Sequence, residues 1–239
     1  TGIEATHQAF SGSMDGVDVR LSQGDVEALV GKLPHGKTGA YLNNKIPFVF
    51  DYADNDADVL PKSSKDLSHG THVAAIAAAN AADLQGTAPH AQIIVAKVAS
   101  DKDGSIPDNT VLAALDDAVV IKPDSINLSL GEDAGMGTEA GTMYAEVYKN
   151  LAAAGVTVNA AAGNSYSSAY SNYSGRNKPY ATDPDAGTVS EPGSYSSTLA
   201  VASVNNQDAL PYLTVGERQV VYRKSRGLKD AVVPSLLDI

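Results

Sequence analysis

Ile93-Ile94-Val95-Ala96-Lys97-Val98, then a helical run from about Asp108 to Ile121, then Ser125-Ile126-Asn127-Leu128-Ser129-Leu130: this stretch decides the fold. Two short β-rich runs separated by a helix-length segment imply a crossover connection, so the two strands run parallel. The alternation continues outward on both sides. Upstream, Ile46-Pro47-Phe48-Val49-Phe50-Asp51-Tyr52 reads as a strand, and Ser68 to about Ala82 is built almost entirely of small residues and reads as a helix. Ser68 stands where it can cap that helix's first turn. Downstream follow a helix from about Glu139 to Ala154, a strand from Val156 to Ala161 and another from Leu199 to Val204. The expected fold is therefore α/β, with a doubly wound, mostly parallel central sheet covered by helices on both faces. Residues 1 to 47, punctuated by Gly12, Gly16, Gly24, Gly31, Gly36 and Gly39, read as loops around at most a short helix. The segment from 165 to 197, with Tyr166, Tyr170, Tyr173, Tyr180 and Tyr195 among Ser, Gly, Asn and Pro, reads as a loop-rich excursion.

Composition narrows the function classes. The 239 residues are enough for one large domain with a buried core. Seventeen basic against twenty-eight acidic residues give a net charge of −11, which argues against nucleic acid or an anionic membrane surface as a partner. Cysteine is absent, so disulfides, thiolate metal sites and a cysteine nucleophile are excluded together. No apolar run approaches the roughly 20 residues of a membrane-spanning helix, so membrane insertion by this chain is not expected.

A parallel sheet of this kind places its functional loops beyond the carboxyl ends of its strands. There the sequence offers Gly131 directly after the strand ending at Leu130, and Ala162-Gly163-Asn164-Ser165 directly after the strand ending at Ala161. An Asn side-chain amide held at a strand end can donate to a developing oxyanion. Taken alone, Asn164 reads better as a turn former, and Gly131 and Gly163 as turn glycines. The heptapeptide Ser68-His69-Gly70-Thr71-His72-Val73-Ala74 sets a histidine at the start of a helix with a second three residues later. A lone histidine is more often structural than catalytic, and a shared metal lacks the glutamate that a zincin helix places after its first histidine.

His69-Gly70-Thr71-His72-Val73-Ala74 resembles the histidine motif of the subtilases, the subtilisin-like serine proteases. The resemblance implies that His69 is the general base and that His72 is packing. Asn127-Leu128-Ser129-Leu130-Gly131 resembles the family's strand that pairs with an extended substrate, and Ala161-Ala162-Gly163-Asn164 resembles the motif of its oxyanion asparagine. The order His, then Asn, matches the family's order Asp, His, Asn, Ser. By resemblance, His69 and Asn164 are catalytic, Ser129, Leu130 and Gly131 bind the substrate backbone, and Ala162 and Gly163 line the first specificity pocket. The opening Thr1-Gly2-Ile3 matches the last three positions of the family's aspartate motif, which places the aspartate just upstream of Thr1. The family's Gly-Thr-Ser-Met nucleophile motif does not occur in these residues, and Ser129, Ser165 and Ser203 are better explained by substrate-edge, turn and strand roles.

The tail from Asp208, with Leu213-Thr214-Val215 and Val220-Val221-Tyr222-Arg223-Lys224, changes character. Together with the roughly 70 residues between the expected aspartate and His69, it resembles the large cell-envelope proteinases of the lactocepin type, in which a protease-associated domain interrupts the catalytic one. The expected organisation is a partial catalytic domain over residues 1–207, incomplete at both ends, with 208–239 leading into the inserted domain. The expected function is serine-type peptide-bond hydrolysis in a secreted or cell-envelope parent protein acting on a polypeptide. The 239 residues by themselves would be inactive. The alternative is a degenerate subtilase serving as a noncatalytic extracellular binding or adhesion module. No cofactor is required by this reading. Calcium is an optional ion because of Asp54-Asn55-Asp56-Ala57-Asp58, although an EF-type register from Asp54 puts Val59 and Lys65 where Gly and Glu belong, and the cluster reads better as a solvated acidic loop. Asp101-Lys102-Asp103-Gly104 carries its own cation and reads as a turn. Oligomeric state is not legible.

Overall fold

The computed structural model describes residues 1–62, 68–132, 139–164 and 189–203, together with the backbone of three strands in the tail. The chain divides into two compact units, one formed by Thr1–Ile126 with Ala140–Thr157 and the other by Asn127–Glu139 with Val158–Ile239.

The first unit begins with loops around one 3-10 turn, Gln8–Phe10, and helix α1, Gln23–Val30. Ser22 and Asp25 close α1 with a reciprocal capping box, in which the Ser22 hydroxyl accepts from the Asp25 N–H and the Asp25 carboxylate accepts from the Ser22 N–H. Strand β1, Phe48–Asp51, is buried at every position, as expected of a strand covered on both faces. Helix α2, His69–Ala78, leads through a loop to β2, Ile94–Lys97, which pairs parallel with β1 in the register Phe48 to Ile94 and Asp51 to Lys97. Between them Ile3, Ala9, Phe10, Ile46, Val49, Val59, Ala79 and Val95 form one buried cluster.

Helix α3, Asp108–Ile121, has the expected bounds. It follows Pro107 and stops at Lys122, whose left-handed backbone (φ 54°) breaks the helical run. Its first turn is tied to the end of β2 by the Thr110 hydroxyl, which donates to the Val98 carbonyl at 2.9 Å. The fully buried Asp117 carboxylate accepts from the backbone N–H groups of His35 and Gly36 and from the Tyr52 hydroxyl. Burial and that carboxylate push the Tyr52 phenol well above its ordinary range. Helix α4, Ala145–Ala153, packs on α3 and buries Val147, Tyr148 and Leu151.

Three expectations are corrected here. α2 ends at Ala78 rather than Ala82, because Ala79 turns to extended backbone and the Asn80 side chain is taken by the backbone of Gly12. Ser68 stands at the N-cap but its side chain makes no cap hydrogen bond. α4 starts six residues later than expected, after turns that include Gly141 at φ +83°.

Lys45 is buried just ahead of β1, where its ammonium donates to the carbonyls of Pro89 (2.8 Å) and Ala91 (2.7 Å). Burial without a carboxylate lowers its pKa from 10.5 to about 8. In that interval the unfolded chain binds the extra proton, so the Lys45 contribution to stability rises with pH from about 8 to 10.5. Urea midpoints of the wild-type chain and Lys45→Met compared at pH 7 and pH 10 are expected to shift in the wild type's favour at the higher pH. A constant difference would contradict this assignment.

In the second unit, apart from Ser125, Ile126 and Thr157 of the first, β3 (Ser125–Leu128), β4 (Thr157–Ala161) and β5 (Leu199–Val201) form a sheet in the order β3-β4-β5, with β4 and β5 parallel. All these strands are one to three residues shorter than the apolar runs that announced them. The α/β character and parallel pairing are as expected. Among the described residues, however, the strands fall into a two-stranded and a three-stranded sheet instead of one continuous sheet. In the tail, β6 (Tyr212–Val215), β7 (Arg218–Lys224) and β8 (Val232–Pro234) form an antiparallel sheet. Ser165, Lys65 and the tyrosines at 166, 170, 173 and 180 lie outside the described residues.

Candidate active site

The first unit places His69 at the first position of α2, half-buried, with its Nδ1 3.0 Å from the Thr1 hydroxyl. The neighbouring residues explain why the motif needs its small members. A Cβ on Gly70 would lie 1.8 Å from the Gly2 carbonyl oxygen and 2.9 Å from the Thr1 hydroxyl, so only glycine lets the Thr1-Gly2 segment lie against the helix start. The Thr71 side chain is buried and accepts a hydrogen bond from the Glu4 N–H at 2.9 Å. Ile3 donates from its N–H to the Val59 carbonyl at 2.8 Å. His69, Gly70 and Thr71 thus each meet the Thr1–Glu4 segment. His72, expected to serve in packing, lies exposed at the surface.

This geometry suits a general base. When the Thr1 hydroxyl accepts a proton held on Nδ1, the proton of the neutral imidazole is on Nδ1 and the lone pair is on Nε2. No described residue hydrogen-bonds Nε2. A hydroxyl fixes ring orientation and tautomer, but it carries no charge with which to stabilise an imidazolium, a task for a carboxylate.

The second unit gathers the other candidates. Ser129, Leu130 and Gly131 continue from β3, which is an outer strand of its sheet. Ala162, Gly163 and Asn164 follow β4, and Asn164 is exposed. The segment 189–193 lies against both. Glu191 and Glu132 exchange N–H to carbonyl hydrogen bonds at 3.0 Å, and the Ser190 N–H donates to the Ala162 carbonyl at 2.9 Å. A Cβ on Gly131 would stand 2.4 Å from the Glu191 carbonyl, and one on Gly163, at φ +98°, 1.9 Å from the Ser190 hydroxyl. Both glycines are there for close approach, which the turn reading alone does not require, and Gly163 for its positive φ as well. Ser190 and Glu191 are the neighbours that sequence reading missed. Their only signal was Pro192-Gly193 in a stretch otherwise read as loop.

A family model described as the subtilase family matches residues 1–230. The chain belongs to the subtilase family. Among curated relatives, the PI-type proteinase of Lactococcus lactis subsp. cremoris is 36% identical over 218 residues, covering 88% of this chain and 11% of that protein. The PII-type proteinase of Lacticaseibacillus paracasei is 35% identical over the same share of each. The C5a peptidase of Streptococcus pyogenes serotype M3 is 28% identical over 211 residues, covering 84% of this chain and 17% of that protein. This subtilase chain therefore spans about a tenth to a sixth of the length of the curated relatives it matches. A crystal structure of a cold adapted subtilisin-like serine proteinase aligns with a TM-score of 0.39 at 26% identity, covering 54% of this chain and 45% of that one.

The subtilase's acidic loop is exposed at Asp54, Asp56 and Asp58, as a solvated loop is, but Asp54 also reaches a buried ammonium. Among the described residues, the three carboxylates that converge are Asp51, Asp54 and Asp101, and the ammonium of Lys97 sits among them. It pairs with Asp51, with Asp101 at 2.7 Å and with Asp54 at 3.5 Å. Lys97 is 1% exposed and Asp51 0%. Burial works against the Lys97 charge, but the bonds to Asp101 and Asp51 outweigh it and raise the pKa. Asp101 also pairs with Lys62 at 2.8 Å, which in turn holds Asp58 at 2.9 Å. Asp101 is thus paired with Lys97 and Lys62, while Lys102 acts on Asp103 in the same turn. No helix among the described residues is long and apolar enough to cross a membrane.

Proposed function

We propose that this chain supplies the base and the oxyanion donor of a serine endopeptidase whose nucleophile-bearing segment belongs to a longer protein. In this reading His69 takes the proton of a serine hydroxyl through Nε2 as the oxygen attacks the scissile carbonyl, then returns it to the leaving amine. The Asn164 side-chain amide donates to the tetrahedral oxyanion. An extended substrate adds as a strand beside Ser129, Leu130 and Gly131, and Ala162 and Gly163, with Ser190 beside them, bound the first specificity pocket. The observation that carries the reading is the seating of His69: Nδ1 is held by Thr1, and Gly70 and Thr71 fix the same segment beside it. The outer position of β3 supports strand addition. The small share of the relatives covered supports a longer parent. Resemblance to cell-envelope proteinases supports a parent that works outside the cell, and calcium is retained as an optional ion with no described cluster assigned to it.

Asn164→Ala in the parent protein is expected to lower kcat roughly 10²- to 10³-fold with KM little changed, because the oxyanion forms only after substrate has bound. Steady-state hydrolysis of a peptide substrate checks this. An unchanged kcat would remove Asn164 from the site.

A further inference from the structure

We propose that Lys97 is a positioning residue for His69, its stem walling the Thr1-Gly2 segment against α2 while Asp51, Asp54 and Asp101 fix its ammonium. The inference rests on the reading of His69 as the base. The three carboxylates come from the end of β1, the loop after it and the loop after β2, and they fix the far end of the Lys97 side chain. Its near end is fixed by the register, in which Lys97 is the cross-strand partner of Asp51. The stem between these two anchors has little freedom, and it passes Gly2. A Cβ on Gly2 would stand 3.0 Å from Lys97 Cδ and 2.6 Å from the Val59 carbonyl oxygen.

Gly2 adopts φ +85°, which favours glycine, and its carbonyl oxygen lies where a Cβ on Gly70 would stand. The segment is therefore enclosed by the Lys97 stem, by Val59 and by the first turn of α2. Movement of Lys97 frees Gly2 to relax, and Thr1, one residue away, leaves His69 Nδ1. None of the three carboxylates is described in contact with His69, so Lys97 acts through the segment and not by touching the base.

The test is long-range ¹H–¹⁵N correlation of the five histidines in the 239-residue chain. Thr1→Ala, which removes the hydroxyl, defines how far His69 Nδ1 shifts when its partner is lost. Lys97→Met is expected to shift His69 in the same direction and leave His35 and His90 in place, and Lys97→Arg, which keeps stem and charge, is expected to hold His69 near its wild-type position. Should Lys97→Met fail to fold, Asp101→Asn leaves Lys97 paired with Asp51 and is expected to give a smaller shift of the same sign. A folded Lys97→Met or Asp101→Asn spectrum with His69 unmoved overturns the proposal, as does Lys97→Arg displacing His69 as far as Lys97→Met. Because the readout is the imidazole itself, it stands apart from failure of the protease reading, which would appear as turnover indifferent to His69.

Discussion

Replacing His69 by alanine in the parent protein is expected to lower kcat roughly 10⁶-fold, the loss that follows removal of the triad histidine from subtilisin. The size of the effect comes from cooperation. Without a base on the attacking hydroxyl, the nucleophile stays protonated and the remaining members contribute little, so one substitution removes most of the catalysis that the group supplies. KM is expected to change little, since the residues assigned to substrate binding, Ser129 to Gly131 with Ala162 and Gly163, are not touched. Peptide hydrolysis by wild type and His69→Ala at equal concentration measures this. A loss of only a few-fold would mean that His69 is a structural histidine at a helix start.

The second large effect falls on stability. Lys97→Met is expected to destabilise the folded chain by about 3–5 kcal/mol, because it removes one partner of a buried pair and leaves Asp51, at 0% exposure, without its cation. Burying an isolated carboxylate costs far more than the lost attraction alone, and Asp101 and Asp54 sit close enough to add repulsion. Asp51→Asn combined with Lys97→Met is expected to recover part of the loss, since the double replacement removes the uncompensated charge. Urea unfolding followed by far-ultraviolet circular dichroism gives these values. A single-variant loss below about 1 kcal/mol would show that the pair is solvated in solution and behaves like a surface ion pair.

These two residues were unequally legible in the sequence. His69 could be singled out because its neighbours Gly70, Thr71 and Val73 form a contiguous motif, and the structure gives Gly70 and Thr71 physical tasks in the same local contact. Lys97 could not, because its partners lie 46 and 43 residues upstream and four residues downstream, and only the parallel register of β1 and β2 brings Asp51 beside it. Within the run Ile93 to Val98 it reads as one more strand position. The same contrast holds for whole elements. α3 takes the bounds its run predicts, with Pro107 before it and the left-handed backbone of Lys122 ending it. α4 was legible only in part: Gly141 stands inside the run from Glu139, and its positive φ keeps the residues before Ala145 in turns, with the Glu139 carboxylate accepting hydrogen bonds from Ser196. Gly131 and Gly163 were found for their place after strands, whereas the reason they must be glycine, the approach of Glu191 and Ser190, depends on chain some 30 to 60 residues away.

The measurement that bears most directly on His69 as the base of a serine protease is active-site labelling of the parent protein with a fluorophosphonate, in wild type and in His69→Ala. The account predicts stoichiometric attachment to one serine outside these 239 residues in the wild type, and loss of that attachment in His69→Ala. Absence of labelling in a folded wild-type protein, or labelling that proceeds at the same rate without His69, would contradict it.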